Sequence, residues 1–256
     1  PYRLAEEVDG IGFMRADQVA RGLDIAEDDP ERLRAGAIHI LQAGRSEGHC
    51  FLPLEHLIGA TESLTGVDRM AVEPAVSSLS TDGRVVFAEW PDHPLESAVY
   101  LAPLLDAEER LADRLASLCV ASSVEDVHGR IDRAAGLLHI DLGGDQVEAL
   151  RTALTHPLTV VTGGPGTGKT TIIRCLLEAA SVQPGRVALA APTGRAAKRM
   201  SEATGHEAKT IHRLLEFNPI DRRFQRDEWD PLDVDLLIVD EASMVDLPLF
   251  DALMCA

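Results

Sequence analysis

The chain has 256 residues, 45% of them hydrophobic, and carries a net charge of −18. This length and apolar content suffice for one large domain or a few small ones, and no apolar run approaches the about 18 residues of a membrane-spanning helix. The acidic charge disfavours non-specific binding to nucleic acid, so a polyanion partner needs a local basic surface.

The charge is unevenly divided along the chain. Residues 1–142 hold 12 basic and 26 acidic residues, a net −14, whereas residues 143–256 hold 12 and 16, a net −4. A basic surface is therefore expected in the second half. The four cysteines and nine histidines are scattered, and the N-terminus does not resemble a secretory signal, which predicts reduced thiols, no zinc site and a cytoplasmic location.

Near the N-terminus, two helical patterns flank the glycine pair of Gly10-Ile11-Gly12. Such glycines allow a tight turn with exposed amides, which is typical of a helix-hairpin-helix that grips a DNA phosphate, with Arg15 as the nearby cation. Acidic neighbours disfavour direct DNA contact, and a plain helical hairpin for packing is the alternative. We assign residues 1–52 to a helical domain that contains this element.

The next region predicts two amphipathic helices, at 54–66 and 70–80, followed by a turn and strand at 82–90. This order resembles a winged helix over residues 53–101. The second helix has almost no cations, so packing or protein contact is favoured over reading of a DNA groove. Residues 102–140 are predicted to form a helical linker.

The motif around which the second half is organised is Gly163-Gly164-Pro165-Gly166-Thr167-Gly168-Lys169-Thr170. It fits G-x-x-x-x-G-K-[ST], the phosphate-binding loop of nucleoside triphosphatases. The β-branched run 158–162 predicts a buried strand before the loop, and residues 171–178 predict a helix after it. We expect backbone amides and the helix N-terminus to bind phosphate, Lys169 to reach the β- and γ-phosphates, and the Thr170 hydroxyl to ligate Mg²⁺. The predicted nucleotide contacts are Gln146, Gly163, Gly164, Pro165, Gly166, Thr167, Gly168, Lys169, Thr170 and Thr171.

A second strand, predicted at 186–191, leads into a helix that Thr193 or Gly194 can cap. Its first turns carry the strongest local basic cluster of the chain, formed by Arg195, Lys198 and Arg199. A helix N-terminus beside cations suits a phosphate backbone, and a solvated helix face is the alternative.

The remaining elements close the domain. Residues 209–215 predict a short helix or turn, and two aromatic-bearing runs within 216–230 predict an inserted β-hairpin, with a disordered loop as the alternative. The apolar run 234–239 predicts a strand that runs directly into Asp240 and Glu241. Ligands of open α/β sheets bind at this end of a strand, so we expect Asp240 to hold Mg²⁺ through water and Glu241 to orient and deprotonate the attacking water. With Lys169 these are the predicted catalytic residues.

Together the motifs resemble the RecD-like DNA helicases of superfamily 1B, in the form with an extended N-terminal region. The resemblance rests on residues 163–170, 191–197, 210–215 and 238–243. It implies an α/β RecA-like P-loop domain over 141–256, with an incomplete parallel sheet, preceded by small, mainly α helix-hairpin-helix and winged-helix-like domains.

The resemblance also implies a function. It indicates an ATP- and Mg²⁺-dependent helicase that moves 5′ to 3′ on single-stranded DNA in repair or recombination, with Gln146 at the adenine edge. The residues that would face single-stranded DNA are Thr193, Gly194, Arg195, Thr210 and His212. Residues 216–230 would form the pin that splits the duplex at a DNA fork. Gly143-Gly144 departs from the Ser-capped helix start that the family usually has before Gln146.

Compared with that family, the chain ends inside a helix, after the acidic Asp-Glu pair and before the family's sensor motif and second RecA-like domain. We therefore expect it to bind nucleotide weakly and not to translocate alone. We expect a monomer that works on the bacterial nucleoid without a membrane, with any protein partners bound through residues 1–140. The alternatives are another P-loop DNA-dependent ATPase, such as a clamp loader or relaxase-type helicase arm, and a non-catalytic interaction fragment.

Overall fold

A computed structural model describes residues 1–2, 12–90, 93, 96–120, 125–164, 166–180 and 186–256. These residues form two compact units, 1–108 and 109–256. Most of the predicted glycine turn, Gly10 and Ile11, and one phosphate-loop residue, Pro165, lie outside the described residues. None of the described helices is both long and apolar enough to cross a bilayer.

The first unit packs helices against a small antiparallel sheet with strand order β1-β3-β2. Its main core includes Leu57, Ile58, Val72 and Val76, all fully buried. The helices predicted at 54–66 and 70–80 and the strand predicted within 82–90 form, whereas β1 was not predicted. The helices are α1 (Phe13–Arg21), α2 (Pro30–Ser46), α3 (Leu54–Thr65) and α4 (Arg69–Ser78), and the strands are β1 (Phe51–Pro53), β2 (Val85–Glu89) and β3 (Ser97–Leu101).

A buried polar network fastens α1 to α2 in this unit. The Arg32 guanidinium donates to both carboxylate oxygens of Asp17, with Nε 2.7 Å from Oδ1, and also to the carbonyl oxygens of Glu27 and Thr65. The Tyr2 hydroxyl donates to Asp17 Oδ1 at 2.9 Å. Burial alone would raise the pKa of Asp17, but the hydrogen bonds from Arg32 and Tyr2 outweigh it and hold that pKa below its usual value.

The second unit is built on a parallel sheet with strand order β5-β4-β6. The central strand β4 is a run of small apolar residues, with Leu189 and Ala190 almost fully buried, as expected for a strand covered on both faces. α5 (Ala102–Leu118) begins in the first unit and ends in the second. The other helices are α6 (Val127–Leu138), α7 (Gly144–Thr155), α8 (Lys169–Ala179), α9 (Gly194–Thr204), α10 (Ile211–Leu214) and α11 (Leu247–Cys255), and the strands are β4 (Val187–Ala191), β5 (Ala208–Thr210) and β6 (Leu236–Val239).

The buried strand predicted at 158–162 is wrong in this structure. The segment forms no strand, and Val160 is 79% exposed. β-Branched residues favour a strand only where a neighbouring strand supplies hydrogen bonds, and none pairs with this segment among the described residues. Pairing rather than local propensity therefore decides the structure of this run.

A second correction concerns residues 209–215, predicted as a helix or turn. Lys209 and Thr210 belong to β5, opposite Ala190 and Ala191 of β4, and the helix begins only at Ile211. A three-residue strand has no periodic pattern of its own, so its long-range pairing was invisible in the sequence.

The hairpin predicted at 216–230 is reduced to one antiparallel bridge, between Asn218 and Arg223. Glu216 and Arg222 have positive φ angles of 54°, which no strand residue adopts, so a longer ladder does not form here. Ile220, at the turn beyond the bridge, is 92% exposed. The Arg226 guanidinium braces the base of this loop by pairing with Glu216 and Asp230.

Candidate active site

The glycine-rich loop leads directly into the N-terminus of α8. Gly168 occupies the capping position at φ +86° and supplies no side-chain cap, so the first amides of α8 are left for another acceptor. The Lys169 ammonium folds back onto the loop and donates to the carbonyl oxygens of Gly163 at 2.6 Å and Gly164 at 2.9 Å. The loop thus presents open amides and a cation on one short turn.

Two glycines of the loop lie close to neighbouring side chains. A Cβ atom at Gly163 would lie 2.7 Å from Thr167 Oγ1, and one at Gly168 would lie 2.3 Å from Gln146 Nε2. A larger residue at either position would have to move these side chains, and at Gly168 the φ of +86° also disfavours any residue with a Cβ.

Gln146 is tied to the backbone around the loop. Its Oε1 accepts the Gly143 amide at 3.0 Å, and its Nε2 donates to the Thr167 carbonyl at 3.2 Å. The side chain therefore links the start of α7 to the phosphate loop. The predicted role of Gln146 at the adenine edge stays a prediction.

The acidic pair follows β6, and hydrogen bonds fix its backbone. The Asp240 amide donates to the Ala190 carbonyl at 2.9 Å, and the Glu241 amide donates to Asp240 Oδ1 at 2.9 Å. The backbone of Glu241 lies in the left-handed region, with φ +53°. Its carboxylate accepts a hydrogen bond from Arg199 of α9, an ion pair that the sequence pattern did not reveal.

The elements that carry these groups pack together. Ile172 and Leu176 on the buried face of α8 join one core with Leu236 and Ile238 of β6, the strand that ends before Asp240. Burial raises the pKa of the Cys175 thiol on the same face, which keeps it a neutral packing group. The phosphate loop and the acidic pair are thus attached to neighbouring, well-packed elements.

The predicted DNA-facing residues follow two adjacent strands of the sheet. Thr193, two residues after β4, caps α9 by accepting the Ala196 amide at 3.2 Å. Thr210, opposite Ala191 at the end of β5, caps α10 by accepting the Arg213 amide at 3.2 Å. Because parallel strands end at one edge of a sheet, both threonines lie on the edge that also carries Asp240.

Three of the predicted DNA-facing residues differ in their surroundings. Gly194 and Arg195 are exposed at the start of α9, and Arg195 has no ion-pair partner within the described ranges. His212 instead belongs to an aromatic cluster with Phe217 and Phe224, at ring-centroid distances of 5.5 Å and 5.7 Å. Within the described residues, Arg195 is thus a cation without an ion-pair partner at the N-terminus of α9, and the ring of His212 packs with two phenylalanine rings after β5.

The donor set fits a Mg²⁺–nucleotide. The open amides of α8 and the Lys169 ammonium suit phosphate, and the exposed Thr170 hydroxyl and the Asp240 carboxylate are hard oxygen ligands. Magnesium needs only one or two such protein ligands because substrate phosphates and water fill the rest of its shell. The residues that would hold the group are therefore Lys169, Thr170 and Asp240.

A phosphate loop before α8 and an acidic pair after β6, on a parallel sheet, define a P-loop nucleoside triphosphatase. Residues 146–256 match the family model described as an AAA domain, and residues 1–51 match the model of the ATP-dependent RecD2 DNA helicase HHH domain. Both matches support the resemblance to the RecD-like DNA helicases that the motifs predicted, and the helix-hairpin-helix expected at the N-terminus is confirmed.

Individual relatives agree with this assignment. The chain is 39% identical to the ATP-dependent RecD2 DNA helicase of Deinococcus radiodurans over 98% of its own length and 36% of the relative. It is 40% identical to the RecBCD enzyme subunit RecD of Mycolicibacterium smegmatis over 43% of the chain and 24% of the relative. The ATP-dependent DNA helicase dda of phage T4 is 39% identical over 39% of the chain and 24% of the relative. The chain thus spans about a third or less of each of these relatives.

Proposed function

We propose that the chain supplies the phosphate-binding part of an ATP-driven helicase that moves 5′ to 3′ on single-stranded DNA and unwinds duplexes in repair or recombination. The observation that carries this proposal is the sheet edge of the second unit. Asp240, Thr193 and Thr210 lie at the carboxyl ends of three neighbouring parallel strands, so groups suited to hydrolysis and groups suited to phosphate backbone share one edge.

In this proposal the chain's own residues act as follows. Lys169 leaves the Gly163 and Gly164 carbonyls to contact the β- and γ-phosphates, and the first amides of α8 bind the same anion. Thr170 and, through water, Asp240 would hold Mg²⁺, which would neutralise charge on the phosphates. Glu241 orients a water molecule and accepts its proton. Gln146 keeps the loop in position against α7 and faces the adenine edge.

The same sheet edge provides the DNA contacts. The N-terminus of α9, with Thr193, Gly194 and Arg195, binds a backbone phosphate, and Thr210 and His212 contact the strand beside it. Residues 216–230 act as the pin at a fork, with the exposed Ile220 at its tip and Arg226 bracing its base. We place the protein in the bacterial cytoplasm, acting as a monomer on the nucleoid.

The test is unwinding by the full-length protein of forked duplexes that carry either a 5′ or a 3′ single-stranded tail. The proposal predicts ATP-dependent unwinding of the 5′-tailed duplex, little of the 3′-tailed one, and none by Lys169→Ala, whose DNA binding is retained. Unwinding by Lys169→Ala at the wild-type rate would show that the phosphate loop is not needed for unwinding. Unwinding only of the 3′-tailed duplex would reverse the assigned direction.

A non-catalytic role is the second candidate for the first unit alone. The acidic excess over residues 1–142 disfavours DNA and favours a protein partner. Arg15 is the cation next to the predicted glycine turn. If Arg15→Ala leaves the affinity for single-stranded DNA unchanged, that result would support a protein-binding role for the first unit.

A further inference from the structure

The contact between Arg199 and Glu241 joins the two functions of the site. Arg199 lies on α9, the helix proposed to bind DNA, and Glu241 lies after β6, where hydrolysis is proposed to occur. Within the part of the chain that the structure describes, neither side chain has another ion-pair partner. The Arg199 side chain is 63% exposed and that of Glu241 is 31% exposed, so solvent and ligands reach the pair.

Arg199 also continues the cationic face that begins at the N-terminus of α9. Arg195 lies four residues earlier, and residues four apart on a helix share one face at a spacing of about 5.4 Å per turn. Arg195 is exposed and unpaired within the described ranges. A strand whose phosphate meets the helix N-terminus and Arg195 therefore brings a following phosphate towards Arg199.

Glu241 and such a phosphate would compete for one guanidinium. An exposed Arg–carboxylate pair is weak and is screened by salt, and it shifts an equilibrium by about two- to five-fold. A phosphate, like a carboxylate, can accept two hydrogen bonds from one arginine, so it can replace the single contact that Glu241 makes. The neighbouring Lys198 offers no such competition, because its partner Glu202 lies on α9 itself.

The backbone at Glu241 adopts an uncommon conformation. Its φ of +53° is in the left-handed region, which a non-glycine residue adopts at some cost. Such residues cluster at active sites and switch regions, where the surrounding contacts hold them. Here those contacts include the Asp240 carboxylate on the amide and Arg199 on the side chain.

We infer that Arg199 is a positioning residue that restrains Glu241 until single-stranded DNA takes over its guanidinium. DNA on α9 then frees the Glu241 carboxylate to orient water, which makes ATP hydrolysis depend on DNA. This inference rests on the proposed function, in which α9 binds DNA and Glu241 is the base.

Thermodynamic linkage between DNA binding and the Arg199–Glu241 pair gives a test that does not require ATP hydrolysis. If DNA must break the pair, then removing the Glu241 charge strengthens DNA binding. The affinity of the full-length protein for a fluorescent oligodeoxythymidine is measured without nucleotide. Glu241→Gln is expected to lower the dissociation constant about two- to five-fold. In an Arg199→Ala background the same substitution is expected to have no effect, because the pair is already absent.

Controls separate this coupling from a general change in charge. Glu148→Gln removes a carboxylate that pairs with Arg151 on α7, at 2.6 Å, and should leave affinity unchanged. Arg199→Lys keeps a cation that pairs with Glu241 and should restore the Glu241→Gln effect, which also guards against misfolding of the alanine variant. As an activity readout, Arg199→Ala should raise hydrolysis without DNA about two- to five-fold.

Two results would overturn the inference. One is equal tightening by Glu241→Gln in the wild-type and Arg199→Ala backgrounds, which would show a general electrostatic effect. The other is no tightening at all. If the wild-type protein bound no oligonucleotide, or if bound oligonucleotide never stimulated hydrolysis, the proposed function would fail as well.

Discussion

Two arginine–carboxylate pairs, one in each unit, have opposite surroundings. In the first unit Arg32 and Asp17 have side chains that are 3% and 8% exposed, and Arg32 makes further bonds to carbonyl oxygens. In the second unit Arg199 and Glu241 share one contact in solvent. A buried pair whose guanidinium makes four hydrogen bonds is costly to break, whereas an exposed pair exchanges partners readily. The first pair thus fastens helices, and the second can serve as a switch.

The largest expected effect follows from breaking the buried pair. Arg32→Ala removes the buried partner of Asp17 and leaves that carboxylate with only the Tyr2 hydroxyl and the exposed Arg21, so the first unit should lose up to about 3–5 kcal/mol of unfolding free energy. Urea unfolding followed by Trp90 fluorescence, in a Trp229→Phe background, reports on that unit. Arg69→Ala, which breaks exposed pairs with Glu55 and Glu73 in the same unit, is the control and should cost less than about 1 kcal/mol. If Arg32→Ala lost as little unfolding free energy as the control, the buried and exposed pairs would not differ in their contribution to stability.

Acidification should weaken the same buried network. The pKa of Asp17 is lowered in the folded state, so its contribution to stability is present above the unfolded pKa of about 3.9 and is lost as pH falls through the folded value. This titration is best followed from about pH 5 to about pH 2.5. Over that range the wild type should lose more unfolding free energy than Asp17→Asn. Parallel curves for the two proteins would show that Asp17 does not carry this pH dependence.

The helix cap at the shared edge should have an intermediate effect. Thr193→Ala removes the acceptor for the Ala196 amide, and loss of such a cap costs about 1 kcal/mol. Thr193→Ser keeps the hydroxyl and should retain most of the stability. Thermal unfolding of the three proteins measures the difference, and an alanine variant as stable as the wild type would mean that the cap contributes nothing.

The smallest expected effect on stability belongs to the exposed pair. Arg199→Ala should change the unfolding free energy by less than about 1 kcal/mol, because solvent screens the pair and hydrates Glu241 when it is left alone. Circular dichroism during urea unfolding provides the measurement. A loss of about 3 kcal/mol or more, as expected for a buried pair, would make Arg199 a structural residue and remove the basis for a switch.

Local features of the fold were predictable from the sequence. The helix start at Pro30, with Asp29 as its cap, and the cap at Thr193 have side-chain patterns that a short window reveals. The glycine-rich loop and the Asp240-Glu241 pair were recognisable because their chemistry requires fixed residue types at fixed spacing. Both ends of the candidate site can therefore be recognised from residue types and spacing alone.

Features that depend on distant partners were not predictable. β5 forms only because Lys209 lies opposite Ala190, and the run 158–162 is not a strand because no neighbour among the described residues pairs with it. The Arg199–Glu241 pair joins residues 42 positions apart, and no periodic pattern encodes such a contact. The sequence predicted the groups at the sheet edge, whereas only the structure shows which of them touch.

The most direct test of the account is the rate of DNA-stimulated ATP hydrolysis by Glu241→Gln in the full-length protein, at a temperature where the variant is folded. If Glu241 orients and deprotonates water, the rate should fall at least about 100-fold, the usual contribution of a general base. A rate within about threefold of the wild type, well short of that contribution, would contradict the central claim that the acidic pair after β6 performs the hydrolysis.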